Sequence, residues 1–226
     1  MSGRFAVAIP AFDAAESIAA VVRRSLASGA EVVVIDDGSR DKTGDVARAC
    51  GVTVLTHAVN FGKGRALKTA FDYLFANGCE AVVTIDADGQ HPPEEMPKLL
   101  SPWREGADLV LGTRDHLYVD MGRMRRASNG TSSWLISHVA GAELPDCQTG
   151  YRVYTRRLIE TVGFPEPRFE AESAVLVRAV RAGFRVVGVP VRLDKADGRA
   201  TSHYRPIVDS LRIAGAVARA RFEEPA

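Results

Sequence analysis

The first half of the chain alternates short apolar runs with segments that repeat apolar residues at helical spacing. Apolar runs at 4–12, 31–35, 52–55, 81–85 and 108–112 predict strands, and segments at 16–26, 43–49, 65–76 and 93–105 predict helices. The run at 31–35 (EVVVI) is β-branched and continuous, as a strand buried on both faces should be. This alternation predicts βαβ units, and therefore an α/β fold with a mainly parallel sheet flanked by helices.

The second half has a different pattern. Helices are predicted at 127–140, 170–182 and 207–221, strands at 150–154 and 184–193, and a polar loop at 194–202. The last helix is expected to carry Ile207, Leu211, Ile213, Ala214 and Val217 on its apolar side. Because the chain shows no repeat, low-complexity tract or linker, we expect one domain over residues 1–226.

Charge and cysteine content narrow the class of protein. The 29 Lys and Arg residues nearly cancel 28 Asp and Glu residues, which argues against a nucleic-acid partner because such proteins carry a basic face. The three cysteines lack metal-ligand spacing, so we expect reduced thiols in the cytoplasm. We find no signal-peptide pattern and no apolar run of the roughly 18–20 residues that span a bilayer. A cytoplasmic protein is expected, either soluble or peripheral on the inner face of the membrane.

Polar residues cluster where three of the predicted strands end. These clusters are 35–39 (IDDGS), 85–91 (IDADGQH) and 112–114 (GTR). In open α/β sheets, ligands bind outside the carboxyl ends of the strands, so the clusters predict a site at that edge. The first cluster alone is equally well explained by turn formation, and the three together favour a site.

Asp86 and Asp88 form the sharpest of these signals. Residues at i and i+2 of an extended segment lie on the same side of the backbone, and Gln90 continues that spacing. Carboxylate oxygens suit Mg²⁺ or Mn²⁺, with water and substrate phosphates at the remaining positions. The alternative, a solvated acidic turn, is weakened by the position of the pair at the end of a buried strand.

The segment 60–65 (NFGKGR) opens the third helix. Its glycines are expected to let the backbone approach a ligand, and a helix N-terminus with Lys63 favours an anion. The spacing of a Walker A loop is absent, and a simple helix-starting turn is the alternative.

Taken together, these stretches resemble glycosyltransferase family 2 over nearly the whole chain. The landmarks of that family are found at 9–12 (IPAF), 34–41 (VIDDGSRD), 60–64 (NFGKG), 86–95 (DADGQHPPEE), 112–114 (GTR), 126–129 (RASN) and 146–152 (DCQTGYR). The last two blocks are similar to those of dolichyl- and polyprenyl-phosphate synthases of mannose or glucose. The resemblance implies a GT-A fold, with a Rossmann-like sheet, a nucleotide-sugar half at 1–115 and an acceptor half at 116–226.

The resemblance also implies roles for individual residues. The nucleotide sugar would be bound by Pro10, Phe12, Asp36, Asp37, Lys63, Asp86 and Asp88, and the cofactor Mg²⁺ or Mn²⁺ by Asp86, Asp88 and Gln90. The acceptor would be bound by Arg114, Arg126, Ser128, Gln148, Arg152 and Arg199, and the catalytic residues would be Asp88, Asp146, Arg114 and Arg126. Arginine forks bind phosphate oxygens in pairs, which supports a lipid-phosphate acceptor. A solvated basic face is the alternative for the arginines at 123–126.

The implied reaction is a single inverting transfer of a hexose, mannose or glucose, from a GDP- or UDP-sugar to a polyprenyl or dolichyl phosphate. An ionised phosphate acceptor needs no strong base, whereas a soluble hydroxyl acceptor would need Asp146, Glu170 or Glu172. A nucleotide-sugar-binding protein without turnover is a further alternative. A nucleotidyltransferase and a dehydrogenase are disfavoured because neither glycine-rich loop follows the first strand.

Two departures from the family pattern affect these expectations. The chain has Asp13-Ala14 where the family usually has Asn-Glu, so one carboxylate that helps to hold the nucleotide is missing. The C-terminal membrane helices that often occur in the family are also absent, so we expect either peripheral membrane contact or a non-lipid acceptor. The helices 127–140 and 207–221 are the candidate segments for reaching a membrane, and packing against the sheet explains the apolar face of 207–221 equally well. The loop 194–202 is expected to form a lid.

Overall fold

The computed structural model of the protein describes residues 3–114, 136–142, 144, 146–194 and 206–223. Within these residues the strands are β1 Phe5–Ala11, β2 Glu31–Asp36, β3 Thr53–Thr56, β4 Ala81–Thr84, β5 Leu109–Thr113, β6 Arg152–Thr155 and β7 Val186–Pro190. The helices are α1 Ile18–Leu26, α2 Thr43–Arg48, α3 Lys63–Ala76, α4 Met96–Arg104, α5 Arg156–Val162, α6 Glu170–Arg181 and α7 Pro206–Phe222. The strands form one sheet in the order β3-β2-β1-β4-β6-β5-β7.

Apolar layers cover both faces of this sheet. In β1, Ala6 and Ala8 belong to one layer and Val7 and Ile9 to the other, because successive side chains of a strand point to opposite faces. Helices α3, α5, α6 and α7 pack on the first face, and α1, α2 and α4 pack on the second. Burial on both faces explains why the central strands read as continuous apolar runs.

Strand β6 is the exception to the parallel order. It pairs antiparallel with β4 on one side and with β5 on the other, while the remaining pairs are parallel. The start of β6 therefore lies at the edge where β4 and β5 end. This direction carries the segment before β6, residues 146–150, to the same edge as the polar ends of the parallel strands.

The structure confirms the predicted α/β fold and adds one helix. Helix α5 was not predicted, although Thr155 caps it by accepting a hydrogen bond from the Leu158 amide at 3.3 Å. The predicted helix at 93–105 begins with a 3₁₀ turn, Pro93–Glu95, before α4. Of the predicted helix at 127–140, residues 136–140 are helical and the others lie outside the described residues.

Only part of the predicted apolar side of α7 is buried. Val217 is buried and Ile213 packs against the core, whereas Leu211, expected on the same apolar side, is 71% exposed. The buried stripe instead begins at Asp209, which is 3% exposed, and continues through Ala216 and Ala220. Because an aspartate occupies a core-facing position, the pattern of hydrophobic residues does not reveal this buried stripe. None of the described helices is long and apolar enough to cross a membrane.

Candidate functional site

A cleft of about 960 Å³ opens at the carboxyl edge of the sheet. Strands β1, β2 and β4 are parallel neighbours, so their ends meet at this edge and form one wall. The first turn of α3, residues 168–169 before α6, and residues 209 and 212 of α7 complete the lining. The cleft is therefore built from segments that are far apart in the sequence.

The structure brings most of the predicted nucleotide-sugar residues to this cleft. Six of the predicted residues line the cleft: Pro10, Phe12, Asp37, Lys63, Asp86 and Asp88. Asp36 lies behind the lining, with its Oδ1 accepting a hydrogen bond from the Ser39 amide at 3.0 Å. Its position favours a role in shaping the turn after β2 over contact with a nucleotide.

Asp37 has both carboxylate oxygens engaged within the protein. Oδ1 accepts from the Phe61 amide at 3.0 Å and lies 2.7 Å from His57 Nδ1, and Oδ2 accepts from the Gly62 amide at 2.7 Å. Asp37 is 3% exposed. These bonds tie the end of β2 to the turn before α3, which makes Asp37 a positioning residue for that turn.

The glycines of the turn before α3 make room for the protein's own chain. A Cβ on Gly62 would lie 2.7 Å from the Pro167 carbonyl oxygen, and one on Gly64 would lie 2.2 Å from that of Glu166. Gly62 also has φ = +100°, a conformation that other residues rarely adopt. These glycines were expected to admit a ligand, and the structure shows segment 166–168 in that place.

Asp13 and Arg40 form a wall of the cleft that the sequence analysis did not identify. The Asp13 amide donates to Ser39 Oγ at 3.0 Å, and Asp13 Oδ1 accepts from the Arg40 amide at 2.8 Å. The Arg40 guanidinium binds Asp13 Oδ2 at 2.6 Å and lies 5.7 Å from the Phe12 ring centroid. These contacts hold Asp13 at φ = +49°, which is unusual for a residue with a side chain.

Asp86 is enclosed on two sides. Lys63 Nζ lies 2.7 Å from its Oδ1, and a Cβ on Gly150 would lie 2.2 Å from its Oδ2. Burial alone would raise the pKa of Asp86, but the Lys63 ammonium outweighs burial and the pKa lies below its ordinary value. Asp86 is therefore held as a carboxylate.

Asp88 lines the cleft close to Asp86. Its Oδ1 accepts from the Gln90 amide at 2.9 Å, and burial together with the negative charge of Asp86 raises its pKa. A divalent cation between the two carboxylates would relieve this repulsion, so the pair fits a metal. Within the described residues no group of three or more His, Cys, Asp or Glu residues forms a metal site. A cation here would need oxygen ligands from water or from a substrate.

Gln90, the third predicted metal ligand, does not line the cleft. Its amide supports Asp88, and its carbonyl accepts from the Asp194 amide at 2.9 Å. Gln90 therefore lies beside the carboxylate pair, and its carbonyl links that position to Asp194, where the predicted lid begins.

Asp146 and Arg114 form a paired unit outside the cleft lining. Arg114 Nε donates to Asp146 Oδ2 at 2.5 Å and its Nη2 to Oδ1 at 2.9 Å, while the Gln148 amide lies 3.2 Å from Oδ1. Burial would raise the pKa of Asp146, and the bonds from Arg114 lower it below its ordinary value. An acid held in this way is a weak proton acceptor, which argues against Asp146 as a general base.

Arg152, predicted to bind the acceptor, has its guanidinium engaged inside the protein. Its side chain is 0% exposed, and its guanidinium donates to the carbonyls of Thr149, Cys147 and Glu172 at 2.7–2.8 Å. Because these bonds engage all three nitrogens inside the protein, the guanidinium holds the start of β6 against α6. Arg126, Ser128 and Arg199 lie outside the described residues, so no geometry bears on their predicted roles.

Several cleft residues were missed by the sequence analysis. Arg168, Phe169, Asp209 and Arg212 line the cleft. The nearby His91 lies outside the cleft lining; it is 4% exposed, and within the described chain neither ring nitrogen has a hydrogen-bond partner. Burial lowers the pKa of His91 to about 4, so its ring is neutral near pH 7. Asp209 and Arg212 could not be found by motif, because only the packing of α7 brings them to the cleft.

The fold and the strand-end carboxylates together define a glycosyltransferase of the GT-A type. The family described as Glycosyl transferase family 2 matches residues 6–163, which include both carboxylate-bearing strand ends. The chain belongs to this family, as the sequence motifs had indicated.

Individual relatives are similar over most of their length. The polyprenol monophosphomannose synthase of Mycolicibacterium smegmatis is 30% identical over 205 residues, covering 83% of this chain and 76% of that protein. The dolichyl-phosphate hexose transferase of Haloferax volcanii is 33% identical over 176 residues, covering 77% and 75% respectively. A crystal structure of glucosyl-3-phosphoglycerate synthase from Mycobacterium tuberculosis with Mn²⁺, UDP-glucose and phosphoglyceric acid matches with a TM-score of 0.73. That match has 21% identity and covers 100% of this chain and 82% of the other.

Proposed function

We propose that this glycosyltransferase is a metal-dependent, inverting hexosyltransferase that transfers mannose or glucose from a GDP- or UDP-sugar to a polyprenyl or dolichyl phosphate. The observation that carries the proposal is the carboxylate pair Asp86 and Asp88 lining a cleft beside Lys63. The volume of about 960 Å³ suits a nucleotide sugar. The names of the relatives support a lipid-phosphate acceptor, and the metal and UDP in the structural neighbour support the donor side.

The roles of the residues follow from their positions. Asp86 and Asp88 would hold Mg²⁺ or Mn²⁺ together with the donor's diphosphate, with Gln90 supporting Asp88. A cation bound there would neutralise charge on the departing nucleoside diphosphate. Pro10 and Phe12 would line the nucleoside side of the cleft, and Lys63 would meet the diphosphate.

A phosphate acceptor agrees better with the described residues than a hydroxyl acceptor does. A hydroxyl needs a general base, but the pKa of Asp146 is lowered and Glu172 is paired with Lys63. The remaining candidate, Glu170, lies outside the cleft lining. A phosphate monoester arrives ionised and needs a cation instead. Arg114, Gln148 and, from outside the described residues, Arg126, Ser128 and Arg199 are proposed to bind it, with Arg114 and Asp146 acting as one unit.

A thermal-shift experiment with GDP- and UDP-sugars tests the donor side. A ligand at a hundredfold excess over Kd stabilises a protein by about 2.7 kcal/mol, which should raise the Tm by roughly 5–10 °C at this size. We expect this shift with Mn²⁺ or Mg²⁺, its loss in EDTA, and its loss in Asp88→Asn.

The exposed Asp72 on α3 supplies the control, since Asp72→Asn makes the same change of charge outside the cleft. An undiminished shift in EDTA or in Asp88→Asn would contradict the metal role. Donor binding without sugar transfer to either a lipid-phosphate or a soluble acceptor would indicate a binding protein.

A further inference from the structure

Lys63 bridges two carboxylates that belong to different elements. Its Nζ lies 2.7 Å from Asp86 Oδ1, after β4, and 2.9 Å from Glu172 Oε2, in the first turn of α6. The side chains of Lys63, Asp86 and Glu172 are 14%, 27% and 9% exposed. One cation therefore neutralises two acids in a region that is mostly withdrawn from solvent.

The two acids differ in their surroundings. Asp86 lines the cleft, where its second oxygen faces the Gly150 backbone. Glu172 lies outside the cleft lining, and its Oε1 has no hydrogen-bond partner within the described residues, with Arg152 Nε 3.9 Å from it. Glu172 thus stays available to the Lys63 ammonium when Asp86 is otherwise engaged.

A divalent cation on Asp86 would meet the Lys63 ammonium at close range. Like charges repel strongly at such distances when water is partly excluded. The repulsion falls if the ammonium moves toward Glu172, which keeps it paired. A diphosphate arriving with the cation offers the ammonium a further anion.

We propose that Lys63 is an exchangeable counter-ion, which neutralises Asp86 in the ligand-free enzyme and is held by Glu172 when Asp86 binds a divalent cation. Lys63 and Glu172 are then positioning residues for the metal site. This proposal rests on the proposed function, because it assumes that Asp86 is a metal ligand.

Mn²⁺ affinity without nucleotide, measured by electron paramagnetic resonance of the free ion, tests the exchange. In Lys63→Gln, Asp86 has lost its competing cation, and we expect Mn²⁺ to bind roughly tenfold more tightly, a change of about 1.4 kcal/mol. In Glu172→Gln, Lys63 has only Asp86 left, and we expect binding to weaken by a similar factor. A purely structural role would weaken binding in both variants.

The double variant completes a double-mutant cycle. In the exchange, Glu172 acts through Lys63, so Glu172→Gln should have little effect once Lys63 is glutamine, and the double variant should bind Mn²⁺ more tightly than the wild type. Simple attraction between Glu172 and the metal predicts additive effects and near-wild-type affinity. The double variant removes the charges of Lys63 and Glu172 together, so neither charge is left buried without its partner. It can therefore still be measured if Lys63→Gln fails to fold.

Lys68→Gln is the matched control, because Lys68 lies on the same helix and pairs with Asp72 on the surface. It should leave Mn²⁺ affinity unchanged. Additive effects, or weaker binding in Lys63→Gln, would overturn the exchange alone. A wild-type protein that binds no Mn²⁺ even with UDP present would overturn the metal part of the proposed function as well.

Discussion

At the scale of single residues, Gly150 connects the packing of the chain to the Asp86 carboxylate. Its carbonyl accepts a hydrogen bond from Thr84 Oγ1 at 2.9 Å, which fixes the segment before β6 against β4. Any side chain at this position would enter the space of the Asp86 carboxylate. The residue that places Asp86 is thus a glycine with no chemistry of its own.

Gly150→Ala should therefore displace Asp86 and weaken Mn²⁺-dependent binding of UDP by roughly tenfold or more, as expected when a charged contact worth about 1.5–3 kcal/mol is lost. Isothermal titration calorimetry measures this affinity. Gly215→Ala is the control, because Gly215 lies inside α7 and, among the described residues, an added Cβ there would meet only the Arg219 side chain, at 3.6 Å. Unchanged UDP affinity in Gly150→Ala would show that Asp86 does not need this space.

At the scale of elements, the direction of β6 determines which residues lie at the same sheet edge as the strand-end carboxylates. Because β6 runs antiparallel between β4 and β5, the segment that enters it carries Asp146 to the edge where Arg114 leaves β5. The strand then passes directly into α5 through Thr155, whose hydroxyl caps the helix. The stability of α5 therefore helps to hold the far end of β6.

Thr155→Ala should remove this cap and destabilise the protein by about 1 kcal/mol, which corresponds to roughly 2–4 °C in Tm. Urea unfolding followed by circular dichroism measures the change. Thr161→Ala is the comparison within the same helix, because the Thr161 hydroxyl only donates back to the Arg157 carbonyl at 2.7 Å. Equal losses in the two variants would contradict a specific capping role.

At the scale of the whole molecule, the packing of α7 turns apolar side chains outward beside the cleft. Asp209 and Arg212 line the cleft, while Val208 and Leu211 of the same turns are 44% and 71% exposed. An acceptor with a polyprenyl tail keeps that tail in a bilayer, so the surface around the cleft must come close to the membrane. This arrangement favours a salt-sensitive, peripheral contact through the first half of α7.

Flotation with anionic vesicles that contain polyprenyl phosphate tests this contact. We expect binding at low salt, weaker binding at high salt, and several-fold less binding in Leu211→Glu, because a charge replaces an apolar side chain at the interface. Phe222→Glu, at the other end of α7, should bind as the wild type does. If the protein bound no vesicles at either salt concentration and turned over a water-soluble acceptor, the proposed lipid acceptor would be wrong and the acceptor would be a soluble molecule.

Periodicity along the chain was sufficient to predict the α/β sheet, and the family motifs located Asp86, Asp88 and Lys63, since these signals are local. The strand-end carboxylates could be expected together because parallel strands end at one edge. Only the tertiary structure showed that Glu172 pairs with Lys63 and that the Arg152 side chain is buried. Such contacts join residues that are distant in sequence, and they depend on the direction of β6 and on how α6 and α7 pack. Local patterns carry no information about either, so the sequence determined the elements and the chemical groups, and the packing decided which groups meet.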